Sequence, residues 1–248
     1  MKICVVQSKA INGDIEKNIQ QHLKVIDRAI SYGVDVIVFP ELSITGYESS
    51  LSKELAILPG DHRLTVFQKK AIDHHINICV GIPTKNSDDT ICISMLIFQT
   101  NEAVQIYSKK YLHIDEMLYF KSGQNDIVLQ NNLKKISFAI CYEISIPEHA
   151  KNANHKGAKI YIASVAKTVD GVKKASEHLS NIAKKYSMLC FMSNAIGHSD
   201  NFECGGRSAI WDEEGNMIGQ LEDKQEGILI FNLENREVLE ENYSKASF

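Results

Sequence analysis

A layered α/β fold is the class this sequence predicts, on three observations. Short β-type runs alternate along the chain with segments of helical period. A length of 248 residues with 44% hydrophobic content suffices for a sizeable core. No Pro/Gly/Ser-rich linker, low-complexity tract or internal repeat divides the chain, so residues 1–248 are read as a single domain. Charged residues make up 23%, and the formal net charge is −4 with no basic block. That balance excludes an electrostatic nucleic-acid footprint and directs attention to a small-molecule partner.

The elements follow in order. KICVVQ opens as a strand, and residues 14–32 place Ile15, Ile19, Leu23, Ile26 and Ile30 on one helical face, with Asp14 as N-cap and Gly33 as C-cap. VDVIVFPE is a second strand ended by Pro40, residues 61–75 are helical, and NICVGIPT is a strand. ICISMLIFQT and AVQIYSK form a hairpin turning at Thr100-Asn101-Glu102. KKISFAICYE is a strand, SIPEHAKNANHKG a helix and AKIYIASVA a strand. Residues 171–187 are helical and LCFMSNAIG is a strand. RSAIWDEEGNMIGQL is a hairpin turning at Glu214-Gly215-Asn216, and EGILIFNL is the last strand.

No run approaches the roughly 18 to 20 apolar residues of a membrane span. The start, MKICVVQSKAINGD, has no signal-peptide h-region or cleavage site, so a cytoplasmic protein without a membrane partner is expected. The six cysteines, Cys4, Cys79, Cys92, Cys141, Cys190 and Cys204, are scattered without a CxxC pair, as in the reducing cytosol. No Cys/His group has the spacing of zinc ligands.

Three strand ends carry the residues for chemistry. VIVFPELSITGY puts Glu41 where an apolar run stops, QIYSKKYLHIDE puts Lys109 and Lys110 after a short alternating strand, and FAICYEISIPE puts Cys141 at the end of another. Each has an ordinary reading alone: a solvated acid, a wet lysine pair, a core cysteine. Together they form a set. A thiol with an ordinary pKa of about 8.5 needs a base, a carboxylate lifted by burial can be that base, and a cation can hold the oxyanion formed by attack on a C–N carbonyl.

PELSITGY, YSKKYL and ICYEISIPE resemble the three signature segments of the nitrilase superfamily, the carbon–nitrogen hydrolases, in the family's order. KGAKIYIASVAKT and GGRSAIWDEEGNMIG are similar to downstream family segments, so the resemblance spans nearly the whole chain. It implies a four-layer α-β-β-α sandwich that commonly pairs into a larger sandwich in a homodimer, and no metal or organic cofactor. It implies Glu41 as general base, Lys109 as transition-state stabiliser and Cys141 as nucleophile. Lys109 rather than Lys110 fits the family pattern Tyr-x-Lys-x-x-Leu, which Tyr107, Lys109 and Leu112 fill. The N–H of Tyr142 is the implied second oxyanion donor, and Glu116, or else Asp115, matches a further family glutamate.

The expected activity is hydrolysis of a small non-peptide amide through a thioester. Lys167 and Thr168 are candidates for substrate contact, and His113 and His178 for pocket lining. Where several relatives that act on carboxylated amides carry an arginine, this chain has Ile144-Ser145-Ile146, which counts against a carboxylate-bearing substrate. The same triad also suits an acyltransferase or a nitrile or carbamoyl hydrolase, and the fold alone suits a non-catalytic binding subunit.

Overall fold

The computed structural model describes residues 1–58, 60–131 and 134–243. In chain order the elements are β1 (Lys2–Gln7), α1 (Ile15–Ser31), β2 (Val36–Val38), α2 (Ser52–Leu55), α3 (Thr65–His74), β3 (Asn77–Lys85), β4 (Ile91–Phe98) and β5 (Gln105–Ser108). There follow β6 (Val128–Asn131), β7 (Lys134–Ile140), α4 (Pro147–His155), β8 (Ile160–Val165), α5 (Val169–Tyr186) and β9 (Leu189–Asn194). The chain closes with β10 (Ile196–Ser199), β11 (Phe202–Gly205), β12 (Ala209–Trp211), β13 (Met217–Gln220), β14 (Glu226–Asn232) and β15 (Val238–Tyr243).

Period-two burial sorts these elements into four layers. One sheet has the order β15-β14-β1-β2-β3-β4-β5 and the other β13-β12-β9-β8-β7-β6. Ile3 and Val5 of β1 join Phe138, Ile162 and Phe191 in the core between the sheets, while Cys4 and Val6 turn outward to Ile19, Ile26 and Phe67 on α1 and α3. On the far side, Ala139, Tyr161 and Ala163 meet Ala150, Val172, Ala175 and Leu179 of α4 and α5. The sequence of layers is α-β-β-α. No helix among the described residues is long and apolar enough to cross a membrane.

Each sheet has a parallel trio at its centre, β1-β2-β3 in one and β7-β8-β9 in the other. Their carboxyl ends approach one another: the Ser164 hydroxyl donates to the Phe39 carbonyl (2.8 Å), and the Ser193 hydroxyl donates to Val6 (2.6 Å) and Val38 (3.1 Å). Open α/β sheets bind ligands in the crevice beyond such ends. α1 also reaches this region, because buried Asn18 donates to the carbonyls of Ile11 and Ile44 and fastens the loop after β2.

Several boundaries differ from expectation. β2 spans only Val36–Val38, since Pro40 lacks the N–H to continue a ladder. β7 stops at Ile140: Cys141 has φ +47, and Cys141–Ser145 is a 3₁₀ turn rather than strand. Residues 189–197 divide into β9 and β10, and the second pairs with β11 in a two-stranded hairpin. β6 and β11 had no counterpart in the sequence reading. Nor is Glu226–Asn232 the last strand, because β15 pairs antiparallel with it and forms an edge.

Gly81 on β3 supports the turn that follows β2. A Cβ there would lie 2.4 Å from the Leu42 nitrogen and 2.7 Å from the Pro40 carbonyl oxygen. Leu42 adds a second constraint with φ +52, an outlier for a branched residue. Gly81→Ala should therefore destabilise the protein by ~1–3 kcal/mol through overpacking. The check is a lower denaturant midpoint at unchanged slope.

Candidate active site

Glu41 leaves the end of β2, Lys109 follows β5 and Cys141 follows β7, so both sheets contribute. Lys109 is pinned by its backbone. Its N–H donates to Ile93 (2.8 Å), its carbonyl accepts from Gly123 (2.8 Å), and a Cβ at Gly123 would lie 2.2 Å from the Ser108 carbonyl oxygen. Only glycine lets that segment close over the lysine.

The Lys109 side chain is fully buried, and its ammonium donates to Glu41 Oε1 (2.8 Å) and Glu116 Oε1 (2.6 Å). Glu116 is oriented in turn by the Tyr47 hydroxyl, which donates to Oε1 (2.6 Å), and by the His113 N–H, which donates to Oε2 (2.7 Å). Burial opposes the Lys109 charge, but Glu41, Cys141 and Glu116 hold the group protonated, above an ordinary lysine. Two of its three N–H bonds are used by the carboxylates, which leaves one.

Glu41 Oε2 is buried and, among the described residues, accepts no hydrogen bond. The Cys141 thiol, after Lys109, is among the neighbours that favour the charged form of Glu41. Burial lifts Glu41 above the usual carboxylate range, with help from the charge of Glu116 and against the pull of Lys109. Burial also pushes the half-buried Cys141 thiol up to about 11; Glu41 adds to this, while Lys167 and Lys109 oppose it. The resting pair is a thiol and a carboxylate whose affinity for a proton is raised, an arrangement that allows proton transfer from sulfur to oxygen.

Cys141 is the first residue of its 3₁₀ turn, so the N–H of Tyr142 is one of the donors that the start of a helical turn leaves without an internal acceptor. The positive φ at Cys141 is strain of ~1–3 kcal/mol of the kind that gathers at functional sites. The residue holding this strain was missed in the sequence. Buried Glu143 accepts from the Tyr107 hydroxyl (2.6 Å) and Ile140 N–H (2.7 Å) on Oε2, and from Lys110 N–H (2.6 Å) and Tyr111 N–H (3.4 Å) on Oε1. One carboxylate thus ties the Cys141 turn to the loop that carries Lys109. The signal was an acid two residues after Cys141, in a run read as strand.

The remaining candidates separate. Lys110 turns away to Asp126 (2.6 Å), and exposed Asp115 meets the His113 ring (2.5 Å), so Glu116 is the acid at Lys109. Exposed His113 packs its ring edge-on to Tyr142 at 5.3 Å. Thr168 is exposed and its hydroxyl caps α5 by accepting from Gly171 (3.1 Å), while His178 is exposed on α5; neither joins the cluster. Lys167 is half-buried beside Ala166, whose carbonyl lies 3.9 Å from the Cys141 sulfur.

The carbon–nitrogen hydrolase family model matches residues 2–239. The chain belongs to the carbon–nitrogen hydrolases. This hydrolase is 28% identical to 2-oxoglutaramate amidase from Bacillus subtilis over 200 residues, 79% of this chain and 76% of that protein. It is also 28% identical to glutamine-dependent NAD(+) synthetase from Aquifex aeolicus, over 94% of this chain but 42% of the synthetase, so it spans less than half of that relative's length. Its fold is that of the amidase from Nesterenkonia sp. AN1, with a TM-score of 0.86 at 21% identity over 95% of this chain and 94% of that one. Nit3 from Saccharomyces cerevisiae, a nitrilase-superfamily member, superposes with a TM-score of 0.85 at 19% identity over 93% and 88% of the two chains.

Glu143→Gln puts an amide NH₂ against donors that need an acceptor. The change should cost at least ~1–3 kcal/mol, the penalty for an unpaired buried polar group. The expected result is a lowered melting temperature together with altered alkylation kinetics of Cys141 in the folded variant.

Proposed function

We propose that this carbon–nitrogen hydrolase cleaves a small amide through Cys141, Glu41 and Lys109. The observation that carries the reading is the buried Lys109 ammonium between two carboxylates, with one Glu41 oxygen unbonded among the described residues and the Cys141 thiol among the neighbours of that carboxylate. Glu41 takes the thiol proton as the sulfur attacks the amide carbon and a C–S bond forms. The remaining Lys109 N–H and the Tyr142 N–H stabilise the oxyanion. The tetrahedral adduct collapses, the C–N bond breaks, and ammonia or an amine leaves with the proton from Glu41. Water then gives a proton to Glu41 and attacks the thioester, and the C–S bond breaks to release the acid and restore the thiol. The names of the relatives, an amidase for 2-oxoglutaramate and a glutamine-dependent synthetase, support an amide as the substrate class.

A library of small amides scored by ammonia release tests this reading. Cys141→Ala should abolish turnover, and Glu41→Gln and Lys109→Ala should each lower kcat/KM by about 10²–10⁴, the usual worth of a positioned proton-transfer or oxyanion group. Lys110→Ala should stay near wild type. Ammonia release that survives Cys141→Ala would overturn the mechanism.

The pH profile gives a second test. Glu41 must be ionised to accept the proton, and its pKa is raised above the ordinary 4.5. Activity should therefore be lost as pH falls through a midpoint above 4.5, not at it. Glu116→Gln removes a charge that lifts Glu41 and should move the acid limb to lower pH.

A further inference from the structure

Behind the Glu143 carboxylate, His149 of α4 is packed among three tyrosines. Its ring meets Tyr107 of β5, Tyr111 and Tyr161 of β8 edge-on, with centroids 6.5, 6.2 and 5.7 Å away. Nε2 lies 2.9 Å from the Tyr107 hydroxyl, and Nδ1 lies 2.7 Å from the Tyr161 hydroxyl. His149, Tyr107 and Tyr161 are all buried. The open volume against this cluster is about 10 Å³, the lower limit for one water, so it has no room for a ligand. Partly exposed Asp126, held by Lys110 (2.6 Å) and Lys156 (2.8 Å), lines the same gap.

The donors and acceptors here allow one neutral arrangement. Glu143 receives four donors, two on each oxygen, which leaves no place for a proton of its own. A carboxylate only accepts, and the Tyr107 oxygen lies 2.6 Å from Oε2, so the phenol proton is committed to Glu143. The Tyr107 oxygen can then only accept from His149, which places a proton on Nε2. Nε2 itself is 3.5 Å from Glu143 Oε2, so the phenol and not the ring makes the close contact. Burial opposes the charged ring, so Nδ1 is bare and accepts from the Tyr161 hydroxyl. Every proton thus points the same way, from Tyr161 through His149 and Tyr107 to Glu143, and bonds in such a chain strengthen one another.

We propose that His149 is a positioning residue for Cys141 and Lys109: as the Nε2–H tautomer it fixes the Tyr107 hydroxyl on Glu143, whose other bonds hold both segments. Those bonds come from the N–H groups of Ile140, next to Cys141, and of Lys110, next to Lys109. The ring acts through two other side chains, Tyr107 and Glu143. Its value to catalysis rests on the amide-hydrolase reading; its hold on the Cys141 turn does not, and the test separates the two.

The test uses two amides that reach different corners of an imidazole. In His149→Gln the amide nitrogen can stand near the place of Nε2 and donate to Tyr107. In His149→Asn the amide oxygen stands near the place of Nδ1 and can accept from Tyr161 alone. Nitrogen-15 NMR of the histidine-labelled wild-type chain, assigned by the signals lost in His149→Gln, should show a neutral ring protonated on Nε2 at neutral pH. This measurement needs no variant to be active. Alkylation by iodoacetamide then reads the Cys141 turn without a substrate. His149→Asn should slow it by about two- to tenfold, the net worth of one hydrogen bond, and His149→Gln should recover most of that loss. Turnover of butyramide should follow the same order in kcat with KM little changed. A role in packing alone would lower the melting temperatures of both variants and leave alkylation and kcat of the folded proteins as in wild type. That result, a ring protonated on Nδ1 or on both nitrogens, or equal slowing in the two variants would overturn the proposal. Alkylation that ranks Gln above Asn in a protein that hydrolyses no amide would keep the positioning role and remove the hydrolase reading. Cys141-dependent hydrolysis with alkylation and kcat indifferent to both variants would do the reverse.

Discussion

The site depends on one buried cation shared by two carboxylates. Removing an ion from water costs several kcal/mol, and an ion pair repays this only when its geometry is good and its remaining polar atoms are satisfied. Lys109 meets both carboxylates at hydrogen-bond distance, and Glu116 is further satisfied by Tyr47 and the His113 N–H. The one polar atom of the cluster left without a partner among the described residues is Glu41 Oε2. The unmet demand of the network thus falls on the carboxylate that has a thiol for a neighbour. A group of this kind is weak evidence for stability and stronger evidence for use.

The fold holds this group by backbone, at points where side chains would be too large. Gly81 lies against the Glu41 turn and Gly123 against Ser108 beside Lys109, with no room for a Cβ at either. Glu143 then couples the third segment by accepting from the end of β7 and from the Lys109 loop at once. Behind it, the Tyr107 hydroxyl donates to Glu143, and the His149 ring contacts the hydroxyls of Tyr107 (2.9 Å) and Tyr161 (2.7 Å). Burial disfavours the charged form of His149, so the chain of contacts ends in a neutral ring. Strain at Cys141 and Leu42 persists because these contacts over-determine both turns.

Much of this was legible in the chain. The alternation of Ile3 and Val5 with Cys4 and Val6, and the helical face from Ile15 to Ile30, follow directly from the two periodicities and give the layers. What no local pattern shows follows from the same physics. β15 reads VLEENY, with three acidic or amide residues in a row, because an exposed edge strand is built from polar residues that discourage further pairing. Cys141, Tyr142 and Glu143 were read as strand because Cys and Tyr suit a pleated surface, and only the backbone sign at Cys141 breaks the run. Glu41 and Lys109 sit next to strand ends, where an acid or lysine interrupts apolar residues and can be seen, whereas Glu116 lies in a 3₁₀ turn within the loop after β5 and is found through the family resemblance. Glu143 was hidden because its partners are backbone N–H groups far along the chain, which no local pattern reveals.

In the mechanism proposed above, charge arithmetic explains how a thiol raised to about 11 could serve as nucleophile. An isolated thiolate in this setting would have to bring a new negative charge into a half-buried site. Transfer of the proton to Glu41 does not: it moves one negative charge from oxygen to sulfur and leaves the cluster total unchanged. The desolvation cost that raises both groups is therefore common to the two states and largely cancels between them. Lys109 remains within the field of either charge, since it contacts Glu41 and feels the charge of Cys141. In that mechanism the arriving carbonyl would select the thiolate state, its oxygen taking the last Lys109 N–H as negative charge develops on it. The burial that holds the proton on sulfur at rest thus acts on both partners of the proposed transfer rather than on the thiol alone.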